Sequence, residues 1–258
     1  MAEKKTPLAY RFVRRTLAWI YRPVKLVGGE HLPEGACIVV GNHAQSHGPL
    51  SCELFFPAPH AVWCAGEMMH LRTVPDYAYR DFWSKKKRAV RWLFRLISYL
   101  IAPLSVFIFR NSHCIGVYRD ARIASTFRQT VEALERGEKV IVFPERDAPY
   151  NGILWEFQTR FADVAKLYYR RTGKEITFVP LYVAPAFHTM YLGEGVRFSA
   201  NVPMAEERER ICTELARRIT EIAQALPRHT VVPYPNVSKR EYPVNIAREV
   251  SDHEKANG

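Results

Sequence analysis

Three short, almost wholly apolar runs constrain what this chain can fold into more than anything else in it: Cys37-Ile38-Val39-Val40, Val140-Ile141-Val142-Phe143 and Ile176 to Val183. Each has strand length, is rich in β-branched residues and is bounded by turn formers, the pattern of a buried strand. Helical spacing separates them. From Ile123, the residues Phe127, Val131 and Leu134 recur every three or four positions, and Gly137 stands where a helix C-terminal cap belongs. Phe157, Phe161, Val164 and Tyr168 repeat that spacing before Gly173, and Pro180 is expected to interrupt the ladder of the third run. Strands alternating with helices imply an α/β fold, here a single domain with a mixed, mostly parallel central sheet flanked by helices. Ile211, Leu215, Ile219, Ile222 and Leu226 mark a last amphipathic helix. Pro227, Pro233, Pro235 and Pro243 then predict an irregular tail. The organisation read from the chain is a basic amphipathic segment over 1–28, the α/β domain over 29–227 and the tail over 228–258.

Five cysteines, Cys37, Cys52, Cys64, Cys114 and Cys212, are odd in number and widely spaced, without a CxxC or CxxH pair. That argues against a disulfide framework or a structural zinc site and favours a reducing compartment. The 37 Lys and Arg outweigh 26 Asp and Glu, a formal net charge of +11, which implies an anionic partner. A helix-turn-helix, finger or RNA-recognition signature is missing, so nucleic acid is not expected.

The distribution of charge points to an anionic membrane surface. Lys4, Lys5, Arg11, Arg14, Arg15, Arg22 and Lys25 surround Phe12, Val13, Leu17, Ala18, Trp19 and Ile20, the pattern of a basic amphipathic helix. A second basic group, Lys85, Lys86, Lys87, Arg88, Arg91 and Arg95, leads into an apolar stretch from Ile97 to Phe109. A spanning helix needs about 20 mainly apolar residues, and this stretch falls short. The N-terminal segment also lacks the cleavage site of a signal peptide. The expectation is a cytoplasmic protein peripheral on the membrane surface, and the competing reading makes Ile97 to Phe109 an ordinary buried helix.

The chemistry gathers where the first strand ends. Val39-Val40 runs into Gly41-Asn42-His43-Ala44-Gln45-Ser46-His47-Gly48-Pro49, and strand ends are where open α/β sheets place ligands. An imidazole there titrates near operating pH and can take a proton from an attacking hydroxyl. Taken alone, an Asn-His pair also suits a hydrogen-bonded loop. His43 and His47 form HxxxH, but Ala44 occupies the position of a zincin's glutamate and Gly48-Pro49 suits a loop, so no metal is expected.

Four segments in order resemble the motifs of the lysophospholipid and glycerol-phosphate acyltransferase superfamily, the PlsC-type enzymes. Asn42-His43 is similar to the opening of its NHxxxxD motif and Ile115-Gly116-Val117-Tyr118-Arg119 to its second. Phe143-Pro144-Glu145-Arg146 is similar to the third and Val179-Pro180-Leu181 to the fourth, and Gly29 to Gly35 looks like the family's approach to the first. The resemblance implies acyl transfer from an acyl thioester, acyl-CoA or acyl-carrier protein, to a lysophospholipid or glycerol-phosphate hydroxyl, with no bound cofactor. It implies His43 as general base and Arg119 as the clamp on the acceptor phosphate. Glu145 would bind the glycerol or organise its site, and Asn42 and Arg146 would line it. Two departures stand out. Gly48 occupies the position of the motif's Asp, leaving His47 the nearest polar neighbour, and Arg146 stands where the third motif has Gly. A carboxylate stabilises a developing imidazolium better than a second imidazole does, so an acid from elsewhere, among Asp120, Glu53, Glu67 and Asp147, is expected behind His43 in preference to His47. The alternative is a non-catalytic lipid-binding protein of the same fold that has lost its base-orienting acid.

Overall fold

The computed structural model describes residues 7–83 and 87–248; Lys4, Lys5, Lys85 and Lys86 of the basic groups, and the tail beyond 248, lie outside them. In chain order the elements are α1 (Leu8–Tyr21), β1 (Lys25–Val27), β2 (Cys37–Gly41), α2 (His47–Phe55), β3 (His60–Ala65), α3 (Val74–Ala78), α4 (Arg91–Asn111), β4 (Cys114–Val117) and α5 (Ile123–Glu135). There follow β5 (Lys139–Val142), β6 (Glu145–Pro149), β7 (Trp155–Phe157), α6 (Asp163–Thr172), β8 (Thr177–Ala184), β9 (Thr189–Leu192), β10 (Val196–Arg197) and α7 (Met204–Ala225).

Seven strands line up as β1-β9-β8-β2-β5-β3-β4, with β10 added beside β8, and β6-β7 form a separate hairpin. β2 is parallel to both β5 and β8, β3 is parallel to β4 and β5, and β8 is antiparallel to β9 and β10. The sheet is therefore mixed and mostly parallel, flanked by helices. Its central strand explains its own apolarity. Ile38 and Val40 face a core shared with Val131 and Leu134 of α5, Val164 of α6 and Leu215 of α7. Cys37 and Val39 face the other way, toward Cys52 of α2 and Phe56 just after it. A strand buried on both faces has no polar side to alternate, and each fully buried aliphatic side chain contributes about 1.5–3 kcal/mol.

Local signals held where the argument was local. α5 ends before Gly137, which takes φ +81°, the left-handed cap that only glycine adopts freely. Pro180 lies in mid-strand opposite Val40, where β8 passes from pairing with β10 to pairing with β9, and its carbonyl accepts from Gly193 N at 3.0 Å. A residue without an N–H fits at that change of partner.

Two expectations need correction. Phe157 and Phe161 do not belong to the helix of Val164 and Tyr168. Phe157 ends β7 and pairs with Glu145, and Phe161 sits in a 3-10 turn before Asp163. The apolar stretch assigned to Ile97–Phe109 is part of a 21-residue helix beginning at Arg91, about 31 Å long at ~1.5 Å per residue. By length and composition this helix could cross a membrane. Only Ser98, Ala102 and Val106, four residues apart on one stripe, are buried, and Ala102 and Val106 pack with Val74 of α3 and Met68.

Candidate active site

The motif segments follow the C-terminal ends of parallel strands of one sheet: Asn42-His43 after β2, Glu145 after its neighbour β5, and Arg119 after the edge strand β4, separated from β5 by β3. Because β2 lies between β5 and β8, residues just past the ends of these strands meet. Glu145 is buried, and each of its carboxylate oxygens accepts one backbone N–H, Oε2 from His43 at 2.5 Å and Oε1 from Trp155 at 2.9 Å. Burial pushes its carboxyl up to about 7, although the two N–H groups favour the charged form. Glu145 thus organises the histidine loop by its backbone.

Asn42 is buried with its amide spent on the sheet, Nδ2 donating to Val183 O at 3.1 Å and Oδ1 accepting from Val183 N at 2.6 Å. It extends the β2–β8 seam in place of a ladder pair, and this bonding to Val183 is where the structure places the side chain expected among the substrate contacts.

The His43 ring lies edge-on to Phe143 (5.6 Å) and Tyr234 (5.4 Å, 88°). After it, Ala44 and Gln45 both adopt left-handed conformations, φ +46° and +55°, each costing about 1–2 kcal/mol for a residue with a Cβ. This double reversal turns the Gln45 carbonyl back onto His43 Nδ1. A carbonyl only accepts, so Nδ1 carries the proton and Nε2 holds the lone pair. Burial lowers the imidazole pKa, and the Gln45 carbonyl partly offsets this. A neutral imidazole with a lone pair at Nε2 has the chemistry to accept a proton at neutral pH.

The acid expected behind His43 is not there. Asp120 grips Arg122 at the surface, which holds its carboxyl at about 2, and Glu53 accepts from Tyr10 Oη at 2.7 Å. Among the described residues no carboxylate is hydrogen-bonded to the His43 ring. His47 does not replace it either. It begins α2, and its Nδ1 is hydrogen-bonded at 2.5 Å to the Tyr21 hydroxyl, which joins α2 to the N-terminal helix. Burial, helped by His188 and Lys239, lowers its pKa. Gly48 accounts for the missing Asp sterically. A Cβ there would lie 2.7 Å from both the His43 carbonyl oxygen and the Phe143 ring.

Arg119 is exposed and makes no hydrogen bond or ion pair among the described residues; its charge favours the ionised forms of Tyr77 and Tyr234, while burial raises both. Arg146 is committed instead to Glu156 across the β6–β7 hairpin. Tyr234 and Gln45 are site residues that sequence reading missed. Tyr234 comes from the expected irregular tail, and its pKa responds, after burial, to Asp81, Asp147, Glu145 and Arg119. The sole local hint was an aromatic between two prolines, Pro233-Tyr234-Pro235.

In fold the chain is similar to the crystal structure of the 1-acyl-sn-glycerophosphate (LPA) acyltransferase PlsC from Thermotoga maritima, at 19% sequence identity and a TM-score of 0.51, over 84% of this chain and 79% of that one. No family model and no curated protein matches the chain.

Proposed function

We propose that this protein transfers an acyl group from an acyl thioester, carried by coenzyme A or an acyl-carrier protein, to the hydroxyl of a phosphorylated glycerolipid acceptor. The observation that carries the reading is His43 at the end of β2, its Nδ1 set against the Gln45 carbonyl and its Nε2 unbonded among the described residues, with burial favouring the neutral ring. His43 Nε2 takes the proton of the acceptor hydroxyl as its oxygen attacks the thioester carbonyl. The tetrahedral intermediate collapses with cleavage of the carbon–sulfur bond, and the departing thiolate receives that proton from the imidazolium. The balance is closed without a metal or bound cofactor. Arg119 is the cation suited to the acceptor phosphate, since its planar fork is unspent.

The surface supports work at a membrane. Leu8, Phe12, Trp19 and Ile20 of α1 and Trp92, Leu96, Leu100 and Leu104 of α4 are exposed beside Arg11, Arg15, Arg88, Arg91 and Arg95. α1 and α4 touch through Tyr10 and Phe107. A helix docked along its length by Ser98, Ala102 and Val106 lies on the body of the domain, so we read the face as peripheral on an anionic, cytoplasmic membrane surface. The second reading, a non-catalytic lipid-binding protein, draws on the lack of a carboxylate at the His43 ring.

Incubation with a labelled acyl thioester and a panel of lysophospholipid and glycerol-phosphate acceptors separates the two. Transfer that falls about 10²- to 10⁴-fold in His43→Ala is the expected result. No transfer by wild type, or near-normal turnover in the variant, overturns the catalytic reading.

A further inference from the structure

The loop after α7 is irregular in backbone yet closed at its neck. Thr230 bridges Val244 in antiparallel fashion, Val231 N donates to Pro243 O at 2.8 Å, and Asn245 N donates to His229 O at 3.1 Å. The neck is fastened to the body. His229 Nε2 is hydrogen-bonded at 2.7 Å to the Tyr182 hydroxyl of β8, and Asn245 Nδ2 donates to Ala223 O of α7 at 2.8 Å. The loop therefore reaches the histidine segment as a rigid strap. It makes two bonds there, both to one side chain: Gln45 Nε2 donates to Pro235 O at 3.2 Å, and Tyr242 Oη donates to Gln45 Oε1 at 3.2 Å.

From this we infer that the 229–245 strap, acting through Gln45, does the orienting work that a carboxylate would otherwise do for His43. Gln45 is the residue whose main-chain carbonyl meets His43 Nδ1, and it stands in a left-handed conformation that a residue with a Cβ does not hold unaided. The strap pins its side chain from both ends of the amide, which fixes the carbonyl and with it the imidazole tautomer. Gly48 closes the alternative route, because the loop leaves no room for a side chain at that position. Gln45 and Tyr242 are thus positioning residues that act through the backbone. The inference rests on His43 being the base, but the tautomer it predicts is a property of the unliganded protein.

The test is ¹⁵N NMR of the His43 ring in the full chain at neutral pH, beside steady-state kinetics with an acyl thioester and the best acceptor. The wild type should show the Nδ1–H tautomer. In Tyr242→Phe and Gln45→Ala the ring should move toward a mixture of tautomers, and kcat should fall about 10-fold while the acceptor KM stays within about twofold, the loss of one or two orienting hydrogen bonds. If Gln45→Ala fails to fold, Tyr242→Phe decides, since it removes a single hydroxyl and keeps the half-buried ring. A tautomer shift without a change in kcat, or the reverse, or neither, overturns the inference. If wild type transfers no acyl group, the proposed function fails, and the tautomer measurement alone decides whether the strap holds the imidazole.

Discussion

Glu145 holds His43 by the backbone and leaves its ring alone: the carboxylate Oε2 accepts the His43 N–H at 2.5 Å, while the ring answers to Gln45. Glu145 joins the β2 end to Trp155 at the start of β7, and its chemistry follows from being buried with two donors.

Its protonation should leave a mark on stability. The folded carboxyl titrates at about 7 against an ordinary 4.5, so between these values the native state keeps a proton that the unfolded chain has released. Stability from this group is present below about pH 4.5 and is lost as pH rises toward 7, by up to about 3 kcal/mol. Glu145→Gln cannot titrate, and its amide can accept only one of the two N–H groups. Denaturant unfolding across pH 4.5 to 7 should show a less negative slope for the variant than for wild type, with the variant less stable at the acid end. Parallel curves would remove Glu145 from the balance.

Restoring the motif acid should fail. In Gly48→Asp the new Cβ meets the His43 carbonyl and the Phe143 ring at 2.7 Å, an overpacking that costs about 1–3 kcal/mol. Thermal unfolding should come earlier and turnover should drop. Higher kcat at unchanged melting temperature would mean that the loop has room for the acid.

Arg119→Lys should raise the acceptor KM about 10-fold with little effect on the donor KM, because a lysine cannot reproduce a bidentate grip on phosphate. Arg146→Lys is the internal control, its partner being Glu156. Acceptor kinetics unchanged in the Arg119 variant, or changed equally in both, would move the phosphate site elsewhere.

Vesicle binding should depend on the exposed face of α1 and α4. Trp19, Leu100 and Leu104 are 82%, 70% and 54% exposed, so replacing all three by Ser should weaken co-sedimentation with anionic vesicles while thermal stability stays within about 0.5 kcal/mol per site. Raising salt from about 0.1 M to 1 M shortens the screening length from about 10 Å to 3 Å and should release wild type from the same vesicles. Equal binding to neutral vesicles at low salt would argue against the arginines flanking this face.

Much of the architecture was legible because it is written in local patterns. The apolar run of β2, the spacing and cap of α5, and the break at Pro180 each depend on residues within a few positions of one another. The order of the motif segments could also be read, and parallel pairing brings segments after neighbouring strands to one edge. What the sequence could not say is which atoms meet there. Phe157 repeats a helical period yet ends a strand, because its pairing with Glu145 outweighs the pattern. The helix that holds the apolar stretch begins at Arg91, because Arg91 and Arg95 continue a helix whose apolar face they flank. Asn42 turns to Val183 and His47 to Tyr21 across 141 and 26 positions of chain. Those partners, like the strap that carries Tyr242 to Gln45 from 197 positions away, exist only once the sheet has set its register. Backbone reversals such as Ala44-Gln45 have no periodicity and use residues that elsewhere lie in ordinary conformations, so the strand, the histidine and the missing acid were determined by sequence, and what holds the Gln45 carbonyl against the imidazole was decided by tertiary contact.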